Sequence, residues 1–150
     1  AATLVAHTPL PWAPAPVDGT VVALCCAAAS VLGHVFPYWY DFRGGKGAAT
    51  LVGAYAALAP VLLAPVLAIW LLCLTLTGFV GLSTVVAGAA AARVALALQP
   101  GDAPAALVGF AVAMAMLLVY THRANVQRMV RGVEDRKHAV MLLPRLRGRR

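Results

Sequence analysis

Residues 48–77 read AATLVGAYAALAPVLLAPVLAIWLLCLTLT, thirty positions without one charged side chain. A run of that length exceeds the ~20 apolar residues a helix needs to cross the hydrocarbon core of a bilayer. Pro60 and Pro65 interrupt it, and a proline inside a helix removes a backbone bond and clashes with the preceding turn. The run is therefore either one kinked helix or two helices meeting near Pro60. That choice decides how often the chain crosses and on which side its polar segments emerge.

Four more boundaries, at glycines, prolines and charges, cut the remaining apolar sequence into segments at 17–36, 83–98 and 103–120, beside 48–59 and 61–77. The fold class expected is all-α, a polytopic membrane bundle of about five short and Pro-broken helices. The segment 48–59 reaches only ~18 Å at 1.5 Å per residue, the length of a half-span beside a buried site. Nine of the twelve Lys and Arg residues lie between Arg123 and Arg150, and Arg43 and Lys46 form a second basic region. The positive-inside bias puts both regions in the cytoplasm, so an even number of crossings must separate them. A hairpin near Pro60 gives four crossings and is the reading adopted. Asp18 and Asp102 then fall on the outer side, Arg93 snorkels toward the outer interface, and Trp12 in the Pro-rich entry anchors at an interface.

The composition excludes other classes. The 150 residues are 62% hydrophobic and 11% charged, with mean hydropathy +0.84, whereas soluble domains carry about 25% charged residues. Neither a water-soluble globule nor a disordered chain fits. The net charge of +7 comes without aromatics interleaved among the tail's cations, so it reads as a basic tail on anionic lipid and not as a nucleic-acid surface. Cys25, Cys26 and Cys73 sit in apolar runs without ligand spacing, as packing residues. No metal site and no cofactor are expected.

Two polar clusters remain. In the first, Gly44, Gly45 and Gly47 bracket Lys46 just before a helix begins. Glycines let successive N–H groups converge, and a helix start adds a field favourable to an anion. A phosphate site is one reading and a flexible basic turn the other. It is not a Walker A loop: Tyr40 stands where that motif has glycine, and Gly47 where it has Ser or Thr. In the second cluster, after the last span, His122 and Asn125 are three apart on a shared helix face with Arg128 three further on. A juxtamembrane basic stripe on lipid headgroups would look similar.

Together the clusters resemble a known family. Gly33-His34-x-Phe36-Pro37, then Phe42-x-Gly44-Gly45-Lys46-Gly47-x-Ala49-Thr50, then His122-Arg123-x-Asn125-x-x-Arg128-x-x-x-Gly132-x-Glu134 is similar to the bacterial PlsY family of acyl-phosphate:glycerol-3-phosphate acyltransferases. The resemblance covers residues 1–136. It implies transfer of a fatty acyl group from acyl phosphate to the sn-1 hydroxyl of glycerol 3-phosphate, giving lysophosphatidic acid and phosphate for phospholipid biosynthesis. It further implies that Gly44, Gly45, Lys46 and Gly47 hold substrate phosphate, with Arg123 among the substrate-binding residues. His34 would buttress the glycine loop, His122 and Asn125 would orient glycerol 3-phosphate and the developing charge, and Glu134 would fix the tail. Lys46, His122 and Asn125 are thus the expected catalytic residues, with no protein general base, the substrate phosphate taking the hydroxyl proton. The His-x-x-x-x-Asp motif of other glycerophosphate acyltransferases is absent. The implied setting is the bacterial inner membrane, in the lipid bilayer with a cytoplasmic C-terminus, supplied by a soluble enzyme that makes acyl phosphate.

Three departures qualify the resemblance. Nothing in 1–36 matches the family's Gly-Ser-Gly-Asn-type phosphate loop, which leads to the expectation that about two N-terminal helices are missing and that these 150 residues alone are inactive. The loop 77–83 lacks the family's Arg-Tyr-Val-Ser run and is left out of the site. Residues 137–150 extend past the pattern as a basic, mobile cytoplasmic tail. A non-catalytic membrane subunit and half of a small-solute transporter are the competing classes.

Overall fold

The computed structural model describes residues 18–98, 105–137 and 140–141. Within them the chain forms five α-helices: α1 (Gly19–Val35), α2 (Ala48–Leu58), α3 (Pro60–Thr77), α4 (Val80–Leu98) and α5 (Ala105–Val130), with a 3-10 turn at Tyr38–Tyr40. Four are long and apolar enough to cross a membrane, and α2 is too short. The Pro-rich entry with Trp12 and the turn carrying Asp102 lie outside the described residues.

Local chemistry explains the boundaries. Asp18 caps α1 by accepting the Thr20 amide at 2.8 Å. Ala59, placed before Pro60, adopts φ −148° and ψ 65°, because the proline ring disfavours helical geometry in the residue before it. One residue thus ends α2, while Pro60 opens α3 where its missing N–H costs nothing. Pro65 lies inside α3 without ending it. Gly78 stops α3 at φ 75°, a conformation that glycine adopts without the Cβ penalty.

The helices α3, α4 and α5 pack as successive neighbours. Ala87, Ala91 and Ala95 recur every fourth residue and are buried against Leu107, Phe110, Ala111, Met114 and Leu118 of α5. In lipid there is no hydrophobic drive between helices, so close approach through small residues supplies the attraction. Gly88 admits the Leu118 side chain where a Cβ would collide with it.

Two sequence-based expectations about boundaries change. α5 continues ten residues past the apolar segment, because its last turns stay helical while turning polar, so the second cluster lies on α5 and not after it. α4 begins at Val80, three residues before the expected Ser83. The hairpin at Pro60 holds: Lys46, before α2, meets Asn125, near the end of α5. Lys46 and the described start of the second basic region therefore share one end of the bundle. Arg93 is exposed on α4.

Candidate functional site

The glycine loop folds back on the end of α1. The Gly44 amide donates to the Val35 carbonyl at 3.1 Å and the Gly45 amide to the His34 carbonyl at 3.1 Å. A Cβ on Gly44 would overlap the His34 and Val35 carbonyls and the Pro37 ring, and one on Gly45 would overlap His34 Nε2. At Gly44, walled by backbone, only hydrogen fits; at Gly45 the obstacle is the His34 side chain alone. Gly47, at φ 81°, turns the chain into α2. The loop is therefore a built turn, closed by hydrogen bonds and tight glycine contacts. Contrary to the expectation of amides converging on an anion, the Gly44 and Gly45 N–H groups are taken up by the end of α1.

From the other side comes α5. Lys46 Nζ donates to Asn125 Oδ1 at 2.6 Å, and Thr121 Oγ1 donates to the Lys46 carbonyl at 3.0 Å. At ~100° per residue, Thr121, Asn125 and Arg128 fall within about 60° of one another on the helix. His122 lies some 60° from Asn125 on the same count and turns inward. It is 4% exposed, with Nδ1 2.9 Å from the Leu118 carbonyl and 3.2 Å from Thr121 Oγ1. The carbonyl can only accept, so Nδ1 carries the proton and Nε2 is the ring's lone-pair nitrogen. Thr121 joins the histidine to the Lys46 backbone.

A third strand of the network comes from beyond α5. Gly132, at φ 73°, closes the helix by donating to Met129, while Val133 donates back to Arg128. These are the paired bonds of a Schellman turn. The turn swings Glu134 back onto the helix it has just left. Its two carboxylate oxygens accept from Asn125 Nδ2 and from Arg128 Nε, both at 2.6 Å. Because the Asn125 amide nitrogen donates to Glu134, the Asn125 oxygen is left facing Lys46.

The Arg128 bond, and after it the Asn125 bond, hold the Glu134 carboxyl below its ordinary range. A depressed native pKa contributes stability that is complete above the unfolded value, ~4.3, and that disappears as pH falls through the native value. The thermal midpoint of the protein in detergent should therefore drop as pH is lowered beneath about 4. Glu134→Gln should start lower and lose less across the same interval; parallel curves would show that the carboxylate contributes nothing there.

Behind the loop, starting at Ala48, lies an apolar cavity of about 310 Å³ between α2, α3 and α4. Leu51, Tyr55, Val66 and Trp70 line it. Trp70 Nε1 donates to Thr84 Oγ1 at 3.2 Å. Tyr55, 3% exposed, has a buried hydroxyl without a partner among the described residues.

Of the residues expected at the site, Gly44, Gly45, Lys46, Gly47, His34, His122 and Asn125 are brought together. Arg123 is not. It lies ~200° around the helix from Thr121, stacked over the Tyr120 ring at 4.1 Å and bonded to the Tyr120 carbonyl at 2.7 Å. Sequence reasoning missed Thr121 and Gly81. Gly81, in the loop 77–83 set aside above, faces the Asn125 side chain so closely that a Cβ there would overlap it. The mobile tail also needs correction at its start. The Lys137 amide donates to the Gly78 carbonyl at 3.0 Å, Arg136 lies over Phe79 at 4.7 Å, and Met141, 7% exposed, packs on Gly78. Residues 138–139 and 142–150 lie outside the described residues.

A glycine turn carrying a lysine thus stands next to an apolar cavity in a bundle of apolar helices. The sequence profile described as glycerol-3-phosphate acyltransferase matches residues 1–132. The chain belongs to the glycerol-3-phosphate acyltransferase family. Relatives of that name include one from Rhizobium meliloti (strain 1021), 39% identical over 118 residues, covering 79% of this chain and 56% of the relative. Another, from Histophilus somni (strain 129Pt), is 41% identical over 111 residues, 73% of this chain and 55% of that one. Among solved structures, PlsY, an integral membrane glycerol 3-phosphate acyltransferase crystallised in its glycerol 3-phosphate form, matches with TM-score 0.72 and 31% identity. The match covers 79% of this chain and 58% of PlsY. The chain thus spans a little over half the length of the acyltransferases it matches.

Proposed function

We propose that the protein transfers a fatty acyl group from acyl phosphate to the sn-1 hydroxyl of glycerol 3-phosphate. The observation that carries this reading is the Lys46–Asn125 pair between the glycine turn and buried His122, with an apolar cavity whose lining begins at Ala48, two residues on from Lys46. Both substrates carry phosphate, and one also carries a long apolar tail. Lys46 would hold phosphate at the turn 44–47, with His34 behind Gly45. The ammonium would be the main donor, because the Gly44 and Gly45 amides already serve the Val35 and His34 carbonyls. Asn125 and His122 would orient the glycerol and oppose charge that develops at the carbonyl. The acyl chain would enter the cavity lined by Leu51, Val66 and Trp70.

The reaction needs no protein nucleophile. The sn-1 oxygen attacks the acyl carbon, the carbon–oxygen bond to phosphate breaks, and the departing phosphate takes the hydroxyl proton. Lysophosphatidic acid and inorganic phosphate result, and proximity does most of the catalysis. Arg123 would have to leave Tyr120 to reach a substrate phosphate. We place the site at the cytoplasmic face of a bacterial inner membrane, residues 1–136 forming the transferase bundle and 137–150 a basic tail on anionic lipid. A soluble enzyme would supply acyl phosphate there.

The test is product formation by the full-length protein in vesicles containing palmitoyl phosphate and labelled glycerol 3-phosphate. Label should become extractable into chloroform as lysophosphatidic acid, and palmitoyl-CoA should not replace the phosphate. Label accumulating inside the vesicles without any lipid product would overturn the reading in favour of transport.

A further inference from the structure

Between the end of α1 and the glycine turn the chain builds a knuckle of aromatic side chains with no role in the network above. Tyr38, Trp39, Tyr40 and Phe42 are 72%, 87%, 72% and 58% exposed. They are held in place and not loose. Tyr38 meets Trp39 edge to face at 5.4 Å and Phe42 likewise at 5.9 Å. The backbone beneath them is bonded in three places, Tyr40 and Phe42 donating to the Pro37 carbonyl and Arg43 to that of Tyr40. Asp41 and Phe42 both sit at positive φ, 50° and 59°, a conformation unfavourable for a residue with a Cβ. The chain thus spends stability on presenting large apolar rings outward.

Their position says what they face. The knuckle terminates a candidate membrane span, Gly19–Tyr40, at the end of the bundle that carries Lys46 and Arg128. Trp and Tyr combine an apolar ring with a polar tip, and among the described residues no hydrogen bond uses the tips of Tyr38, Trp39 or Tyr40. Such side chains collect at the headgroup level of a bilayer, where ring and tip are both satisfied. Arg43 beside them adds a charge complementary to lipid phosphate.

We infer that the knuckle 38–43 is a membrane-interface anchor, its partner the phospholipid headgroup layer, and that it sets the depth of the glycine turn. Gly44 is the next residue and is bonded to α1, so whatever fixes the knuckle against the lipid fixes the turn as well. This inference rests on the membrane fold and is independent of the proposed acyl transfer.

The experiment uses full-length protein and its Trp39→Phe variant in vesicles of phosphatidylcholine and phosphatidylglycerol. The difference between their emission spectra isolates Trp39 from Trp12 and Trp70, and the ring-for-ring exchange preserves the packing. The Trp39 emission should be blue-shifted and shielded from aqueous iodide. Lipid brominated near the ester group should quench it about twofold more than lipid brominated near the terminal methyl, as headgroup-level residence requires. Iodide quenching equal to that of free tryptophan, with none by bromolipid, would overturn the inference and leave a soluble partner as the occupant. Stronger quenching from the methyl end would overturn it too, by placing the ring in the hydrocarbon.

Discussion

Lys46→Ala should lower acyl transfer by the full-length protein at least ~100-fold, the scale on which loss of one main charge stabiliser acts. Lys46 is the cation set into the glycine turn, with its ammonium already directed by the Asn125 oxygen at 2.6 Å. Alanine leaves the turn's own hydrogen bonds to α1 in place but removes the full charge that the two proposed phosphorylated substrates would need. Lys46→Arg should recover part of the rate, because the charge returns in a planar group of different reach. The thermal midpoint should barely move, since an exposed polar pair contributes little to stability. Turnover within threefold of wild type by Lys46→Ala would sink the assignment of this loop.

The second large effect is a substitution whose damage another substitution should repair. A Cβ on Gly45 meets only the His34 ring, whereas one on Gly44 meets the backbone carbonyls of His34 and Val35 as well as Pro37. Forcing a methyl into such contacts costs ~1–3 kcal/mol, roughly 5- to 150-fold in activity if the loop must be in register to act. Gly45→Ala should therefore be poorly active, and Gly45→Ala with His34→Ala should be no worse than His34→Ala alone. Gly44→Ala should stay inactive in the same background, since no side-chain truncation clears a carbonyl. Additive losses in the Gly45 pair would show that His34 does not act through the turn.

Much of this was readable before any coordinates. Charge-free runs longer than a bilayer is thick allow little except helices, and Pro60 marks a break because a proline dictates the backbone of its predecessor. The turn 44–47 is legible for the same reason: three glycines around a lysine concentrate conformational freedom where an anion could be gripped. What escaped was set by distances between elements. A spacing of three made His122 and Asn125 look equivalent, yet ~60° of rotation suffices to bury one and present the other. Arg123 carries a conspicuous charge and faces away, while Thr121 and Gly81 have nothing conspicuous and lie at the centre. No local pattern announces that a glycine on α4 will touch Asn125, or that Met141 will cover Gly78.

The contact between Lys46 and Asn125 joins residues 79 positions apart, and Glu134, which orients the asparagine, comes later still. During synthesis the glycine turn emerges first and must wait for α5. At ~5–20 residues per second that delay is roughly 4–18 s. Over that interval the nascent protein has a lysine-bearing turn but no amide to aim it and no buried imidazole beside it. Competence should therefore switch on late, when α5 inserts and the Gly132 turn folds back. Ribosome-stalled chains ending before Glu134 should be embedded in the membrane and silent.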